Sequence, residues 1–137
     1  MKLGSDDIFY MNAFNSVSRV VAKDVVLQGN SLLFLVKKSD VGKAIGKSAC
    51  NVKTLREQLK KNVEIIGYSE SAKDFFQSVF HDVKVKGVEV KEDDGKKTAF
   101  VVFEAGEKRN VLANMGRFRR IKEITKRNFD FDEMRIK

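Results

Sequence analysis

The most constraining feature of this chain is that it repeats itself. Displaced by 66 positions, the 137 residues align Phe9 with Phe75, Phe14 with Phe80, Val17 with Val83 and Gly29 with Gly95, without a gap. The same displacement pairs Phe34 with Phe100, Val36 with Val102, Glu57 with Glu123, Lys60 with Lys126 and Asn62 with Asn128. Lys60-Lys61-Asn62-Val63-Glu64-Ile65 returns as Lys126-Arg127-Asn128-Phe129-Asp130-Phe131, with every charge sign kept and apolar residues opposite apolar ones. A fixed period means one supersecondary unit used twice. The seam near Tyr68-Ser69 predicts two domains, 1–68 and 69–137.

Each unit reads as the same series of elements. Ser5 followed by Asp6 and Asp7 suits a helix start, because a serine cap and early acidic residues satisfy the free amides and the dipole there. Phe9, Ala13, Val17 and Val20 follow at helical spacing. The second unit opens at Ser69 to Ser71 and shows the stripe Ala72, Phe75, Phe76, Val79, Phe80 of an amphipathic helix. A hairpin comes next in each: Val25 to Leu27 with Leu32 to Val36 across Gln28-Gly29-Asn30-Ser31, and Val83 to Val90 with Ala99 to Phe103 across Asp93-Asp94-Gly95-Lys96. Gly87 interrupts the alternation of valines and marks either a bulge or a packing position. Ser39 to Ile45, a loop at Gly46 and a helix carrying Val52, Leu55 and Leu59 complete the pattern, with Phe118, Ile121 and Thr125 at the same phases in the second copy. A closing strand is expected at Val63 to Ile66 and again from Phe129 to Met134 or beyond. The fold class is α+β, each unit α-β-β-α-α-β with a three-stranded sheet packed on helices.

Charge is concentrated within this frame. The chain carries a net +8, yet Lys37 to Lys61 holds eight basic and two acidic residues, and Lys108 to Arg127 holds eight basic and only Glu123. The remainder is therefore acidic. Two basic blocks on matching parts of a repeat form an electrostatic footprint for phosphate, although a solvated helix face gives a similar composition.

The most informative stretch is Lys43-Ala44-Ile45-Gly46-Lys47-Ser48-Ala49-Cys50-Asn51-Val52. A glycine loop between two helices, with lysine at its tip, lets the backbone approach a sugar-phosphate chain and sets a helix N-terminus and an ammonium against it. Gly42-Lys43-Ala44-Ile45-Gly46-Lys47-Ser48 also approaches the nucleotide-binding pattern G-x-x-x-x-G-K-[ST], but it is one residue short between the glycines, the spacing that wraps a phosphate.

These residues resemble the short archaeal NusA-type proteins, built of two tandem type II KH domains. The resemblance runs from about Phe9 to the C-terminus. It rests on Asp40-Val41-Gly42-Lys43-Ala44-Ile45-Gly46-Lys47, on Asn51-Val52-Lys53 with Leu55-Arg56, and on Val63-Glu64-Ile65-Ile66-Gly67-Tyr68-Ser69-Glu70. It implies a GxxG-type loop that clamps the backbone of single-stranded RNA. The RNA-binding residues implied are Lys43, Ile45, Gly46, Lys47, Ser48, Ala49, Asn51 and Lys53 in the first unit. In the second unit charge is expected to replace the clamp, with Arg109, Asn114, Arg117, Arg119 and Arg120 extending the backbone track as a basic surface, although a scaffold with a solvated basic helix gives the same composition. The sequence departs from the family at Ala49, where the loop's second glycine is expected, and at Leu112-Ala113-Asn114-Met115, where the second loop has no glycine at all. The function implied is a factor in transcription elongation, termination or antitermination, a cytoplasmic monomer with RNA polymerase as a further partner and no cofactor. A second reading stands beside it: an adaptor on RNA polymerase or a ribosomal particle, with the KH folds as scaffolds.

Other functions find less support. The longest uncharged apolar run, Ser31 to Val36, is far short of the ~20 residues a bilayer requires, and Met1 to Asp7 contains no apolar signal stretch. Cys50 and His81 are the only cysteine and histidine, too few for a zinc site, and neither has a neighbour placed to activate it as a nucleophile. Cys50 reads as a small buried residue opening a helix, His81 as a helix-terminal charge, and Tyr68 as an interdomain contact. Phe75, Phe76, Phe80, Phe100 and Phe103 are assigned to the core by phase.

Overall fold

The computed structural model describes residues 5–81 and 83–137. The segment before Ser5 and the Ser5 side chain, expected as a cap, lie outside the described residues. The chain divides into two compact units, Met1–Tyr68 and Ser69–Lys137.

The first unit opens with helix α1 (Ser5–Ser18) and the antiparallel strands β1 (Asp24–Gln28) and β2 (Ser31–Lys37). A short helix α2 (Val41–Ile45), helix α3 (Cys50–Leu59) and strand β3 (Asn62–Tyr68) follow, with β3 parallel to β2. The sheet order is β1-β2-β3. Leu32, Phe34 and Val36 of β2 face the helices and join Phe14, Ala44, Leu55 and Val63 in one core, where Phe14 stacks on Phe34 at 4.4 Å between centroids. Truncating either ring to alanine would cost about 3–5 kcal/mol. The helical face of α1 differs from expectation. Phe14 and Ser18 are buried and Phe9 is 59% exposed, because apolar residues occur almost all round this helix and its period selects no single face. Val20 lies beyond its end. Arg19 takes φ 62° and the Ser18 hydroxyl donates to Phe14 O at 2.7 Å while accepting from Val20 N at 3.1 Å, which closes the helix. Gly67 in β3 is required by packing: a Cβ there would lie 2.8 Å from Val41 Cγ2.

The second unit repeats the order: α4 (Ala72–Val79), β4 (Val85–Asp93), β5 (Lys96–Phe103), α5 (Lys108–Leu112), α6 (Met115–Asn128) and β6 (Glu133–Ile136). Its sheet runs β4-β5-β6, β5 antiparallel to β4 and parallel to β6. Ser71 caps α4 by accepting from Asp74 N, and Phe75, Phe76, Val79 and Phe80 are buried as their spacing requires. The hairpin turns at Asp94 (φ 52°) and Gly95 (φ 78°), the two left-handed residues that match strand twist. A register shift between Val85 and Gly87 shows that the glycine marks a bulge.

The ungapped repeat fails in two places. Gly29 is the first residue of its turn and Gly95 the second of its own, so the strands are out of phase by one. Since a one-residue slip exchanges the two faces of a strand, Ala99, Val101 and Phe103 point to the helices and are buried, whereas Phe100 lies half-buried on the opposite face. Its assignment to the core is corrected. The closing strand begins at Glu133 rather than Phe129, because α6 continues to Asn128, where the displaced end of α3 would fall at Thr125. Lys126 to Asn128 are thus helical, unlike Lys60 to Asn62. Among the described residues no helix is long and apolar enough to cross a membrane.

Candidate nucleic-acid interface

The loop between α2 and α3 is built from unusual backbone. Gly46 ends α2 at φ 82°, ψ 167°, its N–H donating to Gly42 O at 3.0 Å. Lys47–Ala49 form one 3-10 turn, in which Ser48 (φ 54°) and Ala49 (φ 60°) are left-handed in succession, and Ala49 N donates to Gly46 O at 3.1 Å. Only glycine fits the first position. Besides its φ, a Cβ on Gly46 would lie 2.8 Å from Cys50 Sγ and 2.9 Å from Asn51 Cγ. Lys43, Lys47 and Ser48 are exposed around this turn, with Ile45 and Ala49 half-buried, and Lys53 is exposed further along α3. Asn51 donates from Nδ2 to Lys43 O at 3.2 Å, tying the start of α3 to α2. Cys50 is exposed, a correction to the buried role expected of it, and its thiol donates to Asn51 Oδ1 at 3.8 Å. Gly42 lies within α2, so the Gly42–Ser48 segment is mostly helical and does not form a strand-to-helix phosphate loop.

The second junction has another construction. Four residues, 46–49, separate α2 from α3, but only Ala113 and Asn114 separate α5 from α6. Neither takes a positive φ. Asn114 caps α6, accepting from Arg117 N at 3.2 Å. The Arg117 guanidinium donates to Val79 O and sits 5.9 Å from the centroid of the Phe80 ring, so it anchors α6 to the end of α4. Arg109 and Arg119 are exposed, whereas Arg120 is half-buried with its guanidinium beside Gly116. The five residues expected to form a basic track thus separate into two exposed cations, a helix cap, a packing arginine and one partly withdrawn. His81 is exposed and lines a cavity of about 240 Å³ with Phe80, Asn110, Asn114 and Arg117.

A groove of about 370 Å³ lies between α5, α6 and the edge strand β6, lined by Lys108, Leu112, Phe118, Lys122, Arg135 and Ile136. Leu112, placed by the sequence in the glycine-free second loop, and Arg135 and Ile136, at the far end of the closing strand, were not expected in a site. Lys122 Nζ binds Glu133 Oε1 at 2.8 Å. That hydrogen bond, above all, holds the Glu133 carboxyl below its ordinary range despite partial desolvation. Among the described residues no group of three or more His, Cys, Asp or Glu side chains could hold a metal ion.

The arrangement of a β-hairpin, two short helices around a glycine turn and a parallel third strand has known counterparts. Residues 10–95 match the model of the KH domain family. Over 137 residues the chain is 31% identical to the probable transcription termination protein NusA of Methanocaldococcus jannaschii, covering 99% of this chain and 75% of that protein. The chain is a NusA-type KH protein. The protein of the same name from Methanococcus vannielii is 27% identical over 117 residues, 85% of this chain and 68% of the relative. A solved structure, titled as the crystal structure of APE1850, superposes on this NusA-type chain with a TM-score of 0.87 at 26% identity, covering 98% of this chain and 100% of that one.

Proposed function

We propose that this NusA-type protein binds single-stranded RNA and acts in transcription elongation or termination, as a tandem of two type II KH domains, 1–68 and 69–137. The observation that carries the reading is the loop 46–49: left-handed backbone opening a ten-residue helix, with Lys43 exposed before it and Lys47 exposed within it. The N-terminal end of α3 and the ammonium groups there favour a phosphate, while the bare Gly46 admits the sugar-phosphate backbone. The second domain lacks that clamp and contributes charge, through exposed Lys108, Arg109 and Arg119 and through the groove beside β6. The relatives' names connect such chains to transcription termination.

The test is fluorescence anisotropy of a short labelled RNA at two salt concentrations. Each phosphate neutralised contributes about −0.7 to the slope of log affinity against log salt. Lys43→Glu/Lys47→Glu, at exposed positions, should abolish binding with the fold intact, and Arg119→Glu/Arg120→Glu should weaken it. If the wild type does not bind, or the loop variant binds as well, the reading is refuted.

The adaptor reading has an observation of its own. Ile8 and Phe9 of α1 are exposed, Val21 is 75% exposed, and Ile8, Met11, Val21 and Ala22 line an apolar groove of about 310 Å³. Exposed apolar residues grouped in this way mark protein contacts. Loss of RNA polymerase or ribosome association in Phe9→Asp, with RNA binding unchanged, would favour it.

A further inference from the structure

The outer face of the second sheet carries an aromatic ring among cations. Because Ala99, Val101 and Phe103 turn into the helical layer, Thr98, Phe100 and Val102 lie on the other side. Phe100 stands opposite Glu89 on β4 and Arg135 on β6, and Thr98 stands opposite Lys91 and Glu133. Lys91 Nζ lies 5.3 Å from the centroid of the Phe100 ring. Lys91, Arg135 and Lys137 are exposed. The two carboxylates of this face nearest the ring are already engaged, Glu89 by Lys137, whose hydrogen bond lowers its pKa, and Glu133 by Lys122 from α6, while Asp93 lies further along β4 at the hairpin end, opposite Lys96. What remains beside the ring is positive.

A half-exposed phenylalanine on a flat sheet, with lysine and arginine at its edges, is the surface on which a nucleic-acid base stacks while its phosphates meet the cations. The ring is not required there by the core, since its neighbours Ala99 and Val101 fill the helical side. Arg135 links this face to the groove formed by Lys108, Leu112, Lys122 and Ile136, because it belongs to β6, the edge strand between them. One strand width of about 4.8 Å is all that separates the two sides.

We propose that the second domain holds single-stranded RNA on both sides of β6, a strand leaving the groove passing Arg135 and stacking a base on Phe100 beside Lys91. The inference rests on the RNA-binding reading above and extends it to a surface outside the helix-side groove.

The chain contains no tryptophan, so Phe100→Trp places a single reporter at the site. Two RNAs are compared on the full chain, one of about four nucleotides, the length a KH groove holds, and one of about twelve, long enough to pass beyond it. The long RNA should quench the tryptophan and the short one should not. Phe100→Leu should bind the long RNA about tenfold more weakly, a typical loss for one stacked base, with short-RNA affinity unchanged. Lys91→Glu should reduce the salt slope for the long RNA only. An unquenched tryptophan when label anisotropy shows the long RNA fully bound overturns the proposal, as does wild-type affinity in a folded Phe100→Leu. If Phe100→Leu does not fold, the tryptophan signal decides. Wild type that binds neither RNA refutes the underlying reading as well, whereas a loop variant that loses the short RNA beside an unquenched Phe100→Trp removes only this inference.

Discussion

Replacing Ala49 by glycine should stabilise the first unit. Ala49 sits at φ 60°, ψ 29°, directly after Ser48 at φ 54°, ψ 32°. An L-residue in this conformation brings Cβ too close to the following carbonyl oxygen, at about 1–2 kcal/mol. Glycine removes that clash but raises the entropy of the unfolded chain by the equivalent of about 0.5–1 kcal/mol. The net gain expected is about 0.5–1 kcal/mol. In a domain of this size 1 kcal/mol moves the melting temperature by about 4–8 °C, so the shift should be about +4 °C. The chain supplies a probe: its two tyrosines, Tyr10 and Tyr68, both belong to residues 1–68 and it has no tryptophan, so tyrosine fluorescence, from Tyr10 above all, reports on the first unit. Gly46→Ala is the opposing control. It combines φ 82° with a methyl group 2.8 Å from Cys50 Sγ and should destabilise by about 2 kcal/mol or more. If Ala49→Gly leaves the transition unchanged or lowers it, the left-handed assignment of this loop is wrong, and so is the account of the turn that opens α3.

Two further outcomes separate structural residues from surface ones. Arg117→Ala should destabilise the second unit by about 1–2 kcal/mol in circular-dichroism melts, because the Val79 carbonyl and the Phe80 face lose their partner. Arg119→Ala should stay within about 0.5 kcal/mol of wild type while reducing the salt slope of RNA binding, and equal melting losses in the two variants would contradict the assignment. The Lys122–Glu133 pair makes a pH-dependent contribution. The folded state lowers the Glu133 pKa from 4.5, so the stabilisation is present above that value and disappears as pH falls through the folded one. Lys122→Met should therefore cost about 0.5 kcal/mol at neutral pH and nothing in acid, measured by urea denaturation; a gap that persists in acid would exclude the pair as its source.

Where local chemistry decides structure, the chain could be read directly. The Ser71 cap, the Phe75 to Phe80 stripe, both glycine turns and the loop at Gly46 all follow from single-residue preferences or a clear period. What escaped depends on phase and tertiary partners. Seven apolar residues spread round α1 leave its buried side undetermined until Phe34 selects Phe14. The aligned glycines concealed that one opens a turn and the other closes it. Ala49 carries no mark of its left-handed backbone, and Arg117 looks like any basic surface residue until Val79 and Phe80 are placed beside it. The charge blocks located both halves of the candidate interface, but which cations stay exposed was decided by packing.

Moving a turn by one residue turns a strand inside out without changing any side chain in it. Phe34 and Phe100 hold the same rank in the repeat, yet one is sealed against Phe14 and the other meets solvent. The reversal is tolerated because Ala99-Phe100-Val101-Val102-Phe103 is apolar at both phases, so either set of alternate residues can fill the interior. A protein that contains its own fold twice thereby has a source of new surface that point substitution does not provide: the hidden lining of one copy becomes the ready-made exterior of the other.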